Sequence, residues 1–145
     1  MGQNQKPILI AEDDEDDYLL TIEALKESGV DKPVRWVRDG EELMAYLLKA
    51  SSASAGENIK PSMIFLDLNM PKKDGREALA EIKTNPALCA IPVIVLTTSK
   101  ADSDIAHTYK LGVNSFIQKP LRFFDLVQSI KVLSQYWFEV VKLPG

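Results

Sequence analysis

A chain of 145 residues, 46% hydrophobic and 26% charged, is long enough to form one domain with its own core and needs neither disulfides nor metal to fold. Seventeen basic against 21 acidic residues give a net charge of −4, which argues against a nucleic-acid surface, and the single Cys89 excludes an internal disulfide framework and suits a reducing compartment. No apolar run approaches the ~20 residues that cross a bilayer, and Met1–Lys6 carries no apolar signal core, so a soluble, cytoplasmic protein is expected.

Pro7 to Ala11 is continuously apolar and predicts a first strand, β1, buried on both faces. Six acids follow, Glu12 to Asp17. Tyr18, Leu19, Ile22 and Leu25 then recur at helical spacing up to Gly29, predicting helix α1 over 15–28. Val34 to Val37 is a weaker strand, β2. Asp39-Gly40 turns it into α2, whose apolar face is read as Leu43, Met44, Tyr46, Leu47 and Leu48. Small polar residues from Ser51 to Lys60 read as a surface loop. Ser62 to Asp67 predicts β3. Asp74 is placed to cap α3, with Ala78, Leu79 and Ile82 inward and Asn85-Pro86 as its end. Ile91 to Thr97, the most β-branched run, predicts β4. A fourth helix, α4, starts at Asp102 or Ser103 and closes at Gly112. Val113 to Gln118 predicts β5, and a long α5 runs from about Leu121 to Val140. In α5 the stripe Phe123, Leu126, Val127, Ile130, Leu133, Trp137 and Val141 should face the sheet, with Val132 and Tyr136 opposite.

Strand and helix alternate five times, which predicts an α/β fold: a flavodoxin-like (βα)5 doubly wound parallel sheet in the order 2-1-3-4-5. The carboxyl tips of its strands then gather Glu12 and Asp13, Asp67, Thr97 and Lys119 into one crevice. An Asp after a strand is, by itself, an ordinary turn-former. Carboxylates brought together, however, repel and call for a cation between them. Oxygen-only donors suit Mg²⁺, with Asp13 and Asp67 as direct ligands, Glu12 acting through water, and the main-chain carbonyl of Asn69 as a further ligand. Asp14 to Asp17 read instead as a solvated helix start. A carboxylate beside a metal can act as a nucleophile toward phosphorus, with Lys119 as a second cation and the Thr97 hydroxyl at hand. No P-loop, dinucleotide-binding turn or zinc-spaced Cys/His set is present. His107 reads as a surface residue and Cys89 as a small packing residue.

These residues together resemble the receiver domain of two-component response regulators: Glu12-Asp13, Asp67, Met70-Pro71, Asp74-Gly75, Thr97 and Lys119-Pro120, spread over essentially the whole chain. The resemblance implies that Asp67 accepts a phosphoryl group from a sensor histidine kinase, with Mg²⁺ required and Mn²⁺ able to substitute. It implies that Lys119 contacts the phosphoryl group, that the bond before Pro120 is a cis candidate, and that Thr97 and Phe116 switch together. The protein would then be no enzyme beyond its own phosphoryl transfer and dephosphorylation. Glu12 stands where Asp is more usual, and Thr98 where a small Ala is common; Asn69 and Ser99 occupy positions that tune phosphate lifetime. Glu12 to Leu20, Asp67 to Glu77, Leu96 to Ser99 and Tyr136 to Pro144 look more narrowly like the single-domain regulators that partner bacterial and cyanobacterial phytochromes. The expected organisation is one receiver domain over 1–145 with no output domain, signalling through a homodimer at α4-β5-α5 on a surface that includes Val132 and Tyr136. Two other classes compete. A phosphatase with Asp67 as nucleophile would usually place an Asp where Asn69 stands. A degenerate receiver serving as a scaffold would not need Asp13, Asp67, Thr97 and Lys119.

Overall fold

Four-residue apolar runs that stop at polar tips leave room only for short strands, and a parallel arrangement buries both faces of each. The computed structural model describes residues 6–51, 59–97, 110, 112, 115–118 and 122–135. Its elements are β1 (Ile8–Ala11), α1 (Glu15–Glu27), β2 (Val34–Val37), α2 (Gly40–Ala50), β3 (Met63–Leu66), α3 (Gly75–Thr84), β4 (Val93–Thr97), β5 (Ser115–Gln118) and α5 (Phe123–Ser134). All five strands form one parallel sheet in the order β2-β1-β3-β4-β5, as the alternation predicts. The expected α4 lies outside the described residues, apart from positions 110 and 112.

Side chains alternate across β1 and build two cores. Leu9 and Ala11 pack with Leu43, Leu47, Leu79 and Ile82 of α2 and α3. Ile8 and Ile10 pack on the other face with Ala24, Leu25, Leu126, Val127 and Ile130 of α1 and α5. Each fully buried Leu or Ile contributes on the order of 1.5–3 kcal/mol. Three aspartates start three helices: Asp14, Asp39 and Asp74 accept from the backbone N–H of Asp17, Glu42 and Arg76, at 3.1, 2.8 and 2.9 Å. Such a cap stabilises by about 1 kcal/mol.

The helix faces differ in part from the expectation. Leu19 and Leu48 are each half exposed, and Phe123 is 40% exposed. In α1 the inward positions belong to Thr21, Ala24 and Leu25. Leu48 follows Leu47 directly, and consecutive residues on a helix point about 100° apart. In α5 the inward stripe consists of Leu126, Val127 and Ile130, with Leu133 partly buried; Trp137 and Val141 lie outside the described residues. β3 is shorter than expected: it ends at Leu66, so Asp67 stands just past the strand.

Candidate functional site

The sheet register dictates what meets at its carboxyl end. Ala11 of β1 lies opposite Leu66 of β3. The next residues, Glu12 and Asp67, therefore leave the sheet side by side, with the Asp67 N–H donating to the Ala11 carbonyl at 3.0 Å. The Glu12 N–H donates sideways to Val37 of β2, also at 3.0 Å. Glu12, Asp13 and Asp67 each offer a carboxylate oxygen within 4.8 Å of the others. Glu12 and Asp67 are buried, 3% and 6% exposed, and Asp13 is at the rim. Oxygens on opposite sides of a hard divalent cation are separated by about 4–5 Å, so this set fits Mg²⁺ or Mn²⁺ on both spacing and donor type.

The loop after β3 is held from several sides. Leu68 and Met70 are buried in the core while Asn69 between them is exposed. The Asn69 N–H donates to Oδ1 of Asp67 at 3.1 Å, which fixes one carboxylate oxygen. Gly75 closes the loop: its N–H donates to the Leu68 carbonyl at 3.0 Å, and a Cβ there would collide with the carbonyl of Asp67. Gly40, at the start of α2, presses against the Lys73 backbone just as closely. Lys72 takes φ of 63°, a left-handed conformation rare for a residue with a side chain. Asp39 pairs with Lys72 at 3.7 Å, and Lys73 pairs with Glu81, whose hydrogen bond pushes the Lys73 ammonium pKa up.

On the other side of the acids, the Trp36 indole Nε1–H donates to the main-chain carbonyl of Glu12 at 2.8 Å. Its ring stacks on Tyr18, with centroids 3.9 Å apart and planes 3° from parallel. The Arg38 guanidinium covers it at 4.4 Å from the ring centroid. Burial pushes the Tyr18 phenol pKa up. From the sequence, Trp36 and Lys72 had no assigned role, Tyr18 counted only toward the apolar face of α1, and Gly40 only as a turn residue. For Trp36 the available signal was an aromatic residue in a strand that neighbours the acid-bearing one.

Thr97 ends β4 opposite Gln118 of β5, and Phe116 lies opposite Val95. The backbone thus brings Thr97 to the carboxyl edge that Asp67 follows. For Thr97 and Phe116 only the backbone is described. Lys119, Pro120 and Tyr136 lie outside the described residues. Val132 is 65% exposed, on the outer side of α5.

The family model described as "Response regulator receiver domain" matches residues 8–131. The chain belongs to this family. Among curated proteins, this receiver is 43% identical over 140 residues to the response regulator Rcp1 of Synechocystis sp., covering 97% of this chain and 94% of Rcp1. Among solved structures, it is similar to the phosphorylated cyanobacterial phytochrome response regulator RcpA, at 45% identity and TM-score 0.85, covering 97% of this chain and 99% of RcpA. The Mn²⁺-bound form of Rcp1 matches at TM-score 0.84 and 43% identity, covering 97% of this chain and 99% of that one. RPA3017, described in red light signalling of R. palustris, matches at TM-score 0.85 with 30% identity, covering 97% of this chain and 99% of its own. No described helix of this receiver is long and apolar enough to cross a membrane.

Proposed function

We propose that this receiver accepts a phosphoryl group on Asp67 from a sensor histidine kinase, and that the kinase is a phytochrome. The observation that carries the reading is the group of three carboxylates, Glu12, Asp13 and Asp67, within 4.8 Å at the carboxyl end of the sheet. A bound Mg²⁺ or Mn²⁺ offsets the charge of these acids and of the incoming phosphoryl group. Glu12, Asp13, Asp67 and the Asn69 carbonyl are the ligands assigned to it. An oxygen of Asp67 attacks phosphorus, the P–N bond of the kinase phosphohistidine breaks, and the imidazole leaves with the electron pair. The Asn69 N–H donates to Oδ1 of Asp67 and helps to orient the carboxylate. Hydrolysis of the acyl phosphate restores Asp67, so the protein performs its own transfer and dephosphorylation and no other catalysis.

Lys119 and Thr97 are assigned to the phosphoryl oxygens, and Phe116 to the switch that follows; Pro120 is a candidate for a cis bond. The message passes by a shape change at α4-β5-α5, to a second copy through a surface that includes Val132 and Tyr136. The chain acts in the cytoplasm, without nucleic acid or membrane as partner. The phytochrome assignment is supported by the likeness to RcpA and to RPA3017. The test is phosphoryl transfer from an autophosphorylated phytochrome kinase. Label should appear on the wild-type chain in Mg²⁺ and disappear with EDTA or Asp67→Asn. Label that survives Asp67→Asn refutes the phosphoacceptor assignment. Transfer from acetyl phosphate but not from phytochrome kinases refutes the kinase assignment.

A further inference from the structure

The Glu12–Asp13 peptide lies past the end of the strand ladder. The Ala11 carbonyl is still taken by the N–H of Asp67, just past β3, but the next acceptor, the Glu12 carbonyl, receives the Trp36 indole at 2.8 Å. The Glu12 N–H is held by Val37 of the same neighbouring strand. Both main-chain groups of Glu12 are therefore tied to β2, one by backbone and one by a side chain. The indole itself has little freedom, with Tyr18 of α1 stacked on one face and Arg38 over the other. The stacked phenol ring and the overlying guanidinium both restrict the indole.

We propose that Trp36 is a positioning residue of the acidic site: its N–H holds the Glu12–Asp13 peptide where the two carboxylates face Asp67, and so sets the affinity for the divalent cation. The inference rests on the cation-binding reading of Glu12, Asp13 and Asp67 but not on Asp67 being phosphorylated. Ligand-supporting groups of this kind typically alter metal affinity about 10-fold or more when removed. Because the contact reaches the ligands through the main chain, a smaller change of about three- to tenfold is expected, the size of one hydrogen bond.

The test is equilibrium Mn²⁺ binding, followed by the free-ion electron paramagnetic resonance signal, which needs no phosphoryl donor. Trp36→Phe keeps an aromatic ring for the stack and removes the N–H. Tyr46→Phe is the control, since it removes a comparable bond, Tyr46 hydroxyl to the Ile59 carbonyl at 2.7 Å, away from the acids. Weakened Mn²⁺ binding in Trp36→Phe with unchanged binding in Tyr46→Phe is the expected result. Equal affinity in Trp36→Phe and wild type overturns the proposal, as does equal weakening in both variants. A wild-type chain that binds no Mn²⁺ overturns both this proposal and the metal reading beneath it. If Trp36→Phe does not fold, Mg²⁺ titration of Trp137→Phe decides, because Trp36 is then its only indole. A saturable change in its emission supports the coupling, and constant emission overturns it.

Discussion

Asp67 is buried, hydrogen-bonded on one oxygen by the Asn69 N–H, and clustered with two other acids. Burial with like charges nearby makes the site demand a cation, and removing one carboxylate should be felt mainly there. Asp13→Asn is expected to weaken Mn²⁺ binding by about tenfold or more while the fold is kept, since Asp13 is exposed. Titration of Mn²⁺ against both chains checks it. Lys83, in the last turn of α3, shows the opposite balance. Its ammonium donates to the carbonyls of Cys89 and Ile91, at 3.2 and 3.0 Å, yet burial pushes its pKa below the ordinary 10.5. The folded state therefore releases this proton more readily than the unfolded chain does. The penalty is fully present while both states are protonated, and it lifts as pH rises through the lowered pKa toward 10.5. Wild type should gain stability relative to Lys83→Met over that alkaline window. Denaturant midpoints of the two chains at neutral and alkaline pH measure this; a constant difference contradicts it.

At the scale of elements, the loop from Asp67 to Gly75 works as a clamp: Leu68 and Met70 are anchored in the core, and Gly75 touches the backbone beside Asp67. Gly75→Ala must push that backbone away. Overpacking of this kind costs about 1–3 kcal/mol, and here it should also slow phosphorylation by displacing Asp67. Unfolding midpoints and labelling rates, measured together, test the coupling. The strands and helices around this loop were largely legible in the sequence. Apolar runs ending at Ala11 and Leu66 and the capping Asp74 are local signals, whereas Asp14 and Asp39, read as a solvated helix start and a turn, proved to be caps as well. Which residues of α1, α2 and α5 turn outward was less legible. Leu19, Leu48 and Phe123 are as apolar as their buried neighbours, and only the angle at which each helix meets the sheet separates them. Trp36 escaped for a related reason: its bond to Glu12 spans 24 positions and depends on β2 lying beside β1.

For the whole molecule, strand order does the gathering. Glu12 and Asp13 come from β1's end and Asp67 from β3's end, and they meet because β1 and β3 pair in register. The alternation of strand and helix made that meeting foreseeable, while the distances could come only from the folded chain. The proposed homodimer belongs to this scale too. Val132 is 65% exposed on α5, and replacing it with a charge should shift the chain toward monomer. Sedimentation of wild type and Val132→Glu at micromolar concentration, with and without a phosphoryl mimic, checks this; an all-monomer wild type contradicts it. The central claim is tested most directly by the intact mass of the chain after acetyl phosphate treatment in Mg²⁺. The account predicts one added phosphoryl group on wild type and none on Asp67→Asn or in EDTA. A wild-type mass that never increases, or an increase that persists in Asp67→Asn, would contradict it.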